Sequence, residues 1–257
     1  MGEMVPGEIR TPVAVLNNGK VLIRVEHASD VPGPPTYTAE LYDPVAGSFS
    51  AAANGASVLG WGKAAVLTDG QVLLEGGADS NGNFIFGQLY DPVTDTSHQL
   101  GENPVTASGV PIDRCCLYAE SATSLSDGTV LIAGGNNVDF FRDPTATAAL
   151  YNPTSHVISA TGSMTVGRYY HQATPLRNGL VLISGGDGGC CQRILASTEF
   201  YDVSAGMFTL GDDMMVPRVE HTATLLTDGT VLISGGIGSY YPSWILASVE
   251  LYTPVSH

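Results

Sequence analysis

The feature that most constrains the fold of this chain is a segment that recurs about every 50 residues. Most copies have an Asn-Gly or Asp-Gly pair between two apolar runs, then a Gly-Gly pair, then an apolar-Tyr step that is usually followed by Asp-Pro. The turn glycines are Gly19, Gly70, Gly128, Gly179 and Gly229, which lie 51, 58, 51 and 50 residues apart. A period of this length predicts an array of similar structural units, one for each copy.

Each unit is predicted to be a small antiparallel sheet. An Asn-Gly or Asp-Gly pair favours a hairpin with a type I′ turn, because that turn requires positive φ at both central residues. The apolar runs beside it, such as residues 231–233, suit strands that are buried on both faces. Gly-Gly ends the second strand where backbones crowd, and Asp-Pro turns the chain into a fourth strand that begins near Gly47 or Gly206.

Sheets that are apolar on both faces cannot bury those faces alone, so the units are expected to stack around an axis. The sequence therefore predicts a single all-β domain, residues 1–257, folded as a β-propeller of five blades with mainly four antiparallel strands each. The repeats cover about residues 10–50, 62–100, 119–160, 170–210 and 220–257. Because the last repeat stops after its third strand, two alternatives stay open. The propeller closes with five blades, or the chain is part of a longer propeller or self-associates through its incomplete last blade.

The hairpin, Gly-Gly and Tyr-Asp-Pro recur in phase, and this pattern resembles the kelch repeat in its bacterial form over about residues 10–254. The resemblance implies a propeller scaffold, on which many unrelated functions are found. The first repeat departs from the pattern because Val25-Glu26 stand in place of Gly-Gly, and the edge of its blade is expected to differ there. Kelch propellers mostly have six or seven blades, so five blades are a second departure.

Composition limits the class of partner and compartment. The net charge of −15 argues against nucleic acid and anionic membranes as ligands, and without a run of 18 apolar residues no membrane insertion is expected. The four cysteines form two adjacent pairs, Cys115-Cys116 and Cys190-Cys191, which are candidates for disulfides or for a soft-metal thiolate site. Their pairing indicates an oxidising compartment, so an exported protein (periplasmic, cell-surface or secreted) is expected, although no signal peptide is visible.

Irregular loops are expected on one side of the propeller, because the loops leading into each blade and those after Gly-Gly lie at the same end of the strands. We call this side the top face. Eight residues before the turn glycines, on the innermost strands, stand Thr11, Gly62, Glu120, His171 and His221. Glu120, His171 and His221 form a candidate site for one divalent metal ion, Cu, Fe, Zn, Mn or Ca. The alternative is that each histidine, which follows Arg-x-x, hydrogen-bonds a neighbouring loop.

The sequence Arg-Tyr-Tyr-His-x-Ala-Thr, beginning at Arg168, also resembles the copper-ligand segment of galactose oxidase, itself a kelch propeller. The resemblance implies that Tyr170 and His171 are copper ligands and that Tyr118, close to Cys115 and Cys116, is the second tyrosine of that family. The family's remaining histidine lies in an additional domain that has no counterpart in this sequence. Copper-radical oxidation is the chemistry that this resemblance implies.

Aromatic side chains are frequent in the loops of the top face, where they suit stacking on sugar rings or contact with a protein. The candidate ligand-binding residues are Trp61, Tyr118, Tyr169, Tyr170, Asp187, Tyr240, Tyr241 and Trp244. The sequence therefore favours a recognition module that binds a glycan or a protein ligand on this face. One alternative is a metal-dependent oxidase or polysaccharide-modifying enzyme that uses the Glu/His/His site. The other is a structural repeat unit of a larger surface protein.

Overall fold

A computed structural model of the chain consists of β-strands joined by turns and loops, and it describes residues 8–27, 36–52, 63–75, 87–100, 121–136, 144–189, 193–240 and 243–254. Strands are the regular elements of these residues, and none of the described segments is a helix long and apolar enough to cross a membrane. The strands form five antiparallel sheets, one for each repeat, and one separate hairpin. The predicted fold class, an all-β propeller with five blades, is confirmed.

The strands follow the chain blade by blade. Blade one consists of β1 (Glu8–Val15), β2 (Val21–His27), β3 (Thr36–Asp43) and β4 (Ser48–Ala51). Blade two consists of β5 (Ala64–Val66), β6 (Val72–Glu75), β7 (Gly87–Asp91) and β8 (Thr96–Gln99). Blade three consists of β9 (Ser121–Ser124), β10 (Val130–Ala133), β11 (Ala148–Asn152) and β12 (Val157–Ala160). Blade four consists of β13 (Gln172–Pro175), β14 (Leu180–Ser184), β15 (Thr198–Asp202) and β16 (Met207–Leu210). Blade five consists of β17 (Thr222–Leu225), β18 (Val231–Ser234) and β21 (Val249–Tyr252), with the hairpin of β19 (Ile237–Tyr240) and β20 (Ser243–Ile245) between the last two.

The turn between the first two strands of each blade is not the predicted type I′ turn. In blade five, the Leu226 N–H donates to the Thr230 carbonyl at 2.8 Å and the Gly229 N–H donates to the Leu226 carbonyl at 3.1 Å. Positive φ occurs at the glycine, at 91°, and not at Asp228. This pattern is a three-residue loop built on a type I turn and a left-handed glycine. The aspartate is explained by its side chain, since Asp228 Oδ1 accepts the Thr230 N–H at 2.9 Å, and the other four turns repeat this bond.

The tyrosine of the apolar-Tyr step anchors each blade in the core. The buried members of the set are Tyr90, Tyr151, Tyr201 and Tyr252. In blade four the Tyr201 hydroxyl shares a 2.8 Å hydrogen bond with Thr161, which follows the last strand of blade three. The next residue, Asp202, accepts the N–H groups of Ser204 and Ala205, and the chain then enters β16 at Gly206 as predicted. In blades four and five the tyrosine therefore joins the blade to the preceding one, whereas Tyr90 and Tyr151 bond Asp95 and His156 of their own blades.

The chain divides into two compact units, Met1–Asn103 with blades one and two and Pro104–His257 with blades three to five. Within each unit, the first strands of consecutive blades lie side by side and an apolar layer fills the space between the sheets. We call the face that carries the strand residues equivalent to Leu182 the outgoing face of a blade, and the opposite face, with the equivalents of Val181 and Ile183, its incoming face. The layer between blades four and five contains Leu182, Phe200, Met214, Val231, Ile233 and Tyr252.

Blades one and five depart from the common pattern. In blade one, β2 and β3 continue where the other repeats have Gly-Gly, and Glu26 pairs with Tyr37, so the expected difference at this edge is confirmed. Blade five has no fourth strand among the described residues, as predicted. The loop predicted after its Gly-Gly pair is instead partly the β19–β20 hairpin, in which residues 237–240 and 243–245 pair with each other.

Candidate functional site: the Arg-x-x-His segments of blades four and five

Two Arg-x-x-His segments, residues 168–171 and 218–221, lead into blades four and five. In the first, the Arg168 side chain is fully buried and lies against its own blade. Nη1 donates to the carbonyl oxygens of Gly185 at 2.8 Å and Ser197 at 3.0 Å, and Nη2 donates to Glu199 Oε1 at 2.8 Å. The arginine therefore caps the end of the sheet by donating to carbonyl groups that lie just beyond its second strand and just before its third.

Glu199 completes this buried ion pair. Its two carboxylate oxygens also accept the N–H groups of Thr165 at 2.7 Å and Val166 at 3.2 Å. Burial lowers the pKa of the Arg168 guanidinium, and the Glu199 carboxylate opposes that shift. A buried ion pair is tolerated when the remaining donors and acceptors are satisfied in this way.

The backbone and the histidine of the same segment reach the preceding blade. The Gly135 N–H of blade three donates to the Arg168 carbonyl at 3.0 Å, and His171 Nε2 shares a 2.9 Å hydrogen bond with Ser121 Oγ. The imidazole packs on Gly134, where an added Cβ would lie 2.7 Å from His171 Cε1. One segment thus binds two blades together, and the glycine of the Gly-Gly pair is required because a side chain has no space there.

The second segment repeats these contacts one blade later. The Gly186 N–H donates to the Arg218 carbonyl at 3.0 Å, and His221 Nε2 shares a 2.9 Å hydrogen bond with Ser184 Oγ. Ser184 lies on the second strand of its blade, whereas Ser121, the partner of His171, lies on the first strand. The serine that bonds the histidine therefore comes from the first strand in blade three and from the second strand in blade four.

The residue before each histidine has an unusual backbone. Tyr170 and Glu220 both have φ of 56°, in the left-handed region that non-glycine residues rarely adopt. The Glu220 N–H donates to the Tyr170 carbonyl at 3.1 Å, so the two positions are linked directly. This backbone turns the histidine into the interface between blades and leaves the preceding side chain exposed.

Burial also determines the charge state of His221. The pKa of its imidazole lies well below the usual 6.5, at about 4, because of burial first and of the nearby Arg218 guanidinium second. Its Nδ1 has no hydrogen-bond partner among the described residues. The imidazole is therefore neutral at pH 7 and is held by one hydrogen bond and by packing.

The predicted metal site is described only in part. Glu120 lies outside the described residues, and His171 and His221 are buried in two different interfaces, each with Nε2 bonded to a serine. No group of three His, Cys, Asp or Glu residues in the described part of the chain is placed to hold a metal ion. These contacts agree with the alternative that the histidines hydrogen-bond neighbouring segments. Of the copper-ligand pair implied by the resemblance to galactose oxidase, the Tyr170 side chain is exposed and that of His171 is buried.

The candidate ligand-binding residues fall into three groups. Tyr169 and Asp187 are buried, and the Tyr169 hydroxyl donates to Asp187 Oδ2 at 2.9 Å. Tyr170 and Trp244 are exposed. Outside the described residues lie Trp61, Tyr118, Tyr241 and the four cysteines Cys115, Cys116, Cys190 and Cys191, and of Tyr240 only the backbone is described.

Sequence reasoning missed the carboxylate partners of the arginines. Glu199 and Glu250 each stand two residues before the tyrosine of the apolar-Tyr step, and both bind the arginine of their own blade. In blade three, which has no leading Arg-x-x-His, that position is Ala149. The joint occurrence of an Arg-x-x-His segment that leads into the blade and of Glu-x-Tyr on its third strand was the signal that predicts the ion pair. No protein-family model and no curated protein matches the chain.

Proposed function

We propose that this protein is a kelch-type recognition module that binds a carbohydrate ligand on its top face, at the exposed tyrosine of the Arg-x-x-His segment in blade four. The observation that carries the proposal is the position of Tyr170, whose side chain is 36% exposed beside a buried, hydrogen-bonded support. A fixed aromatic ring at the surface suits the apolar face of a sugar ring, because both partners lose little conformational freedom on contact.

The support consists of Tyr169 and Asp187. The rings of Tyr169 and Tyr170 are 4.9 Å apart at an interplanar angle of 58°. Tyr169 is held by its hydroxyl on Asp187 Oδ2, and Asp187 Oδ1 accepts the Gly189 N–H at 2.8 Å. Backbone bonds in both directions between Tyr169 and Asp187, at 3.1 and 2.7 Å, fix the segment to its own blade. Tyr170 therefore projects from a rigid base, as a preformed binding site requires.

The negative charge of the protein limits which carbohydrates we expect it to bind. The chain has a net charge of −15, and the position equivalent to Tyr170 in blade five is an exposed carboxylate, Glu220. Anionic polysaccharides would be repelled by this surface, so we expect neutral or amino sugars as ligands. Recognition of such glycans agrees with the export that the paired cysteines favour.

The test is direct binding of neutral oligosaccharides, measured by isothermal titration calorimetry after screening on a glycan array. We expect Tyr170→Ala to weaken binding at least about tenfold, which corresponds to ~1.4 kcal/mol. Tyr170→Phe should retain affinity because it keeps the ring. The matched control is Glu220→Ala, which changes the equivalent residue of blade five, where φ is also positive. Binding that is unaffected by Tyr170→Ala would contradict the proposal.

A protein ligand is the second candidate, and the β19–β20 hairpin favours it. Trp244 and Ile245 are adjacent on β20 and are 63% and 84% exposed. Exposed tryptophan is typical of protein contact surfaces. Replacing Trp244 by Ala should then abolish binding to a protein partner and leave oligosaccharide binding unchanged.

A further inference from the structure

Two of the five hairpin turns contain asparagine where the other three contain aspartate. The asparagines are Asn18 and Asn178, which are exposed and directly precede the turn glycine. Asparagine before glycine is prone to spontaneous loss of its side-chain amide, because glycine has no Cβ that hinders attack by its own main-chain nitrogen. The surroundings add no obstacle at Gly19 or Gly179, where an added Cβ would meet no described atom within 4 Å.

The turn also activates the side-chain amide for this attack. In blade four the Leu180 N–H donates to Asn178 Oδ1 at 3.2 Å, and in blade one the Lys20 N–H donates to Asn18 Oδ1 at 3.0 Å. A donor on a carbonyl oxygen stabilises the negative charge that develops there when a nucleophile adds to the carbon. The same bond keeps the amide folded back over the main chain, on the side of the glycine that would attack it.

The attacking nitrogen is held less firmly in blade four than in blade one. The Gly19 N–H donates to the Leu16 carbonyl at 2.9 Å, whereas the Gly179 N–H lies 3.4 Å from the Leu176 carbonyl oxygen. The glycine must release this bond and lose its proton before its nitrogen can react. Because the longer bond is the weaker one, Asn178 is the more reactive of the two asparagines.

The other three turns show that an aspartate fits the same position. The carboxylates of Asp69, Asp127 and Asp228 each accept the N–H of the residue two positions later, at 2.9 to 3.0 Å. An aspartate at position 178 would therefore keep the bond of the asparagine. An isoaspartate would not fit, because it inserts a carbon atom into the main chain of a loop that the Leu176 N–H closes on the Leu180 carbonyl at 2.8 Å.

We propose that the Asn178-Gly179 turn is a modification site, at which the folded protein converts Asn178 to an acidic residue without an enzyme. Hydroxide removes the proton of the Gly179 nitrogen, which forms a bond to Cγ of Asn178, and the Cγ–Nδ2 bond then breaks and releases ammonia. Water hydrolyses the resulting cyclic imide at one of its two carbonyl groups, which yields aspartate or isoaspartate with no change of oxidation state. The reaction adds one negative charge to a chain whose net charge is −15. The proposal is independent of the carbohydrate site at Tyr170.

The test is to incubate the full chain at mildly alkaline pH and to follow each asparagine by peptide mapping with mass spectrometry. We expect Asn178 to be converted at least about twofold faster than Asn18, because the hydrogen bond of its glycine is weaker. Asn18 is the matched control, since it has the same following residue and the same side-chain bond. Asn54 and Asn81 also precede glycine but lie outside the described residues, so their peptides are followed separately.

The stability of the products is a second readout. Asn178→Asp should unfold at the same denaturant concentration as the original protein, because aspartate keeps the turn. The fraction that contains isoaspartate, identified by enzymatic methylation of its carboxylate, should unfold at a lower concentration. A clear loss of stability in Asn178→Asp would contradict the fit of the aspartate.

Two results of the time course would overturn the proposal. In the first, Asn178 is converted no faster than Asn18. In the second, small additions of denaturant accelerate the conversion of Asn178 in proportion to the unfolded fraction, which would place the reaction in the unfolded chain. A rate that does not change under these conditions is expected if the folded turn reacts.

Discussion

Blades four and five have the same sequence motifs and the same order of their first three strands in space, but within their compact unit only blade four lies between two other blades. Leu182 and Phe200 on its outgoing face are buried, whereas Leu251 of blade five is 63% exposed. On the incoming face the two blades are alike, since Val181 and Val231 are both buried. The comparison shows that a repeat acquires its buried layer from its neighbour, as expected for an array stabilised by nearest-neighbour interfaces.

The ion pairs of the two blades differ in the same way, because the pair of blade four is the more buried one. Arg168 and Glu199 are both fully buried and are 2.8 Å apart in hydrogen-bond geometry. Arg218 and Glu250 are 3.0 Å apart, the Glu250 side chain is 11% exposed, and Glu250 Oε1 does not meet the angular requirements of a hydrogen bond although the charges are in contact. The same motif is therefore better aligned where the blade is covered on both faces.

The largest effect is expected from breaking the first of these pairs. Glu199→Ala leaves a buried guanidinium and two N–H groups without an acceptor, so we expect it to lower the free energy of unfolding by ~3–5 kcal/mol. Glu250→Ala should cost ~1–3 kcal/mol, because its site is partly hydrated. Chemical denaturation of both variants measures the difference. Equal losses would contradict the inference that the ion pair of blade four is the better aligned one because that blade lies between two others.

A pH titration tests the interface between blades four and five. The pKa of His221 is about 4 in the folded protein and about 6.5 in an unfolded chain, so the unfolded state binds more protons between these values. The stabilising effect of the neutral imidazole is therefore complete above pH 6.5 and is lost as the pH falls to 4, by ~3 kcal/mol. His221→Gln should remove this part of the pH dependence. An unchanged slope in His221→Gln would show that the imidazole is not buried as described.

Glycine substitutions compare the two outgoing faces directly. Gly185 and Gly235 have nearly the same φ, so the conformational cost of alanine, ~1 kcal/mol, is common to both. Gly185→Ala also places Cβ against the Arg218 carbonyl oxygen, which should add ~1–3 kcal/mol of steric cost. Thermal denaturation should show the larger loss for Gly185→Ala, and equal losses would indicate that Gly235 is covered too.

The sequence was sufficient to predict the blades because the motifs act locally or between adjacent repeats. Turn and tyrosine positions mark the strands of all five blades, and the Gly-Gly pairs mark the end of the second strand in blades three to five. The turn type was wrong, since Asp228 acts through its side chain and not through positive φ, and the loop predicted after the last Gly-Gly pair contains a hairpin. The three-stranded sheet of blade five was predicted in the same way, from the number of predicted strands in its repeat.

The site was less predictable because it depends on context. The letters Arg-Val-Glu-His occur twice, at residues 24–27 and 218–221. The first copy is part of strand β2, paired on both sides, whereas the second is a leading segment with a left-handed Glu220. The difference comes from the preceding residues, since the first copy continues the strand that begins after a hairpin turn and the second follows the loop that joins two blades. The roles of Ser121 and Ser184 could not be predicted from the sequence either, because the histidines that they bond lie 50 and 37 residues away.

The smallest effect is expected at the serines, where blades four and five differ in one hydroxyl contact. Ser184 is fully buried and bonds His221. Ser184→Ala leaves Nε2 of the buried imidazole without this partner, so it should lower the free energy of unfolding by ~1–2 kcal/mol. Ser234→Ala removes a bond to the exposed Thr222 and should cost less than ~0.5 kcal/mol. Chemical denaturation of both variants measures the difference, and equal losses would contradict the greater contribution assigned to the Ser184 hydroxyl.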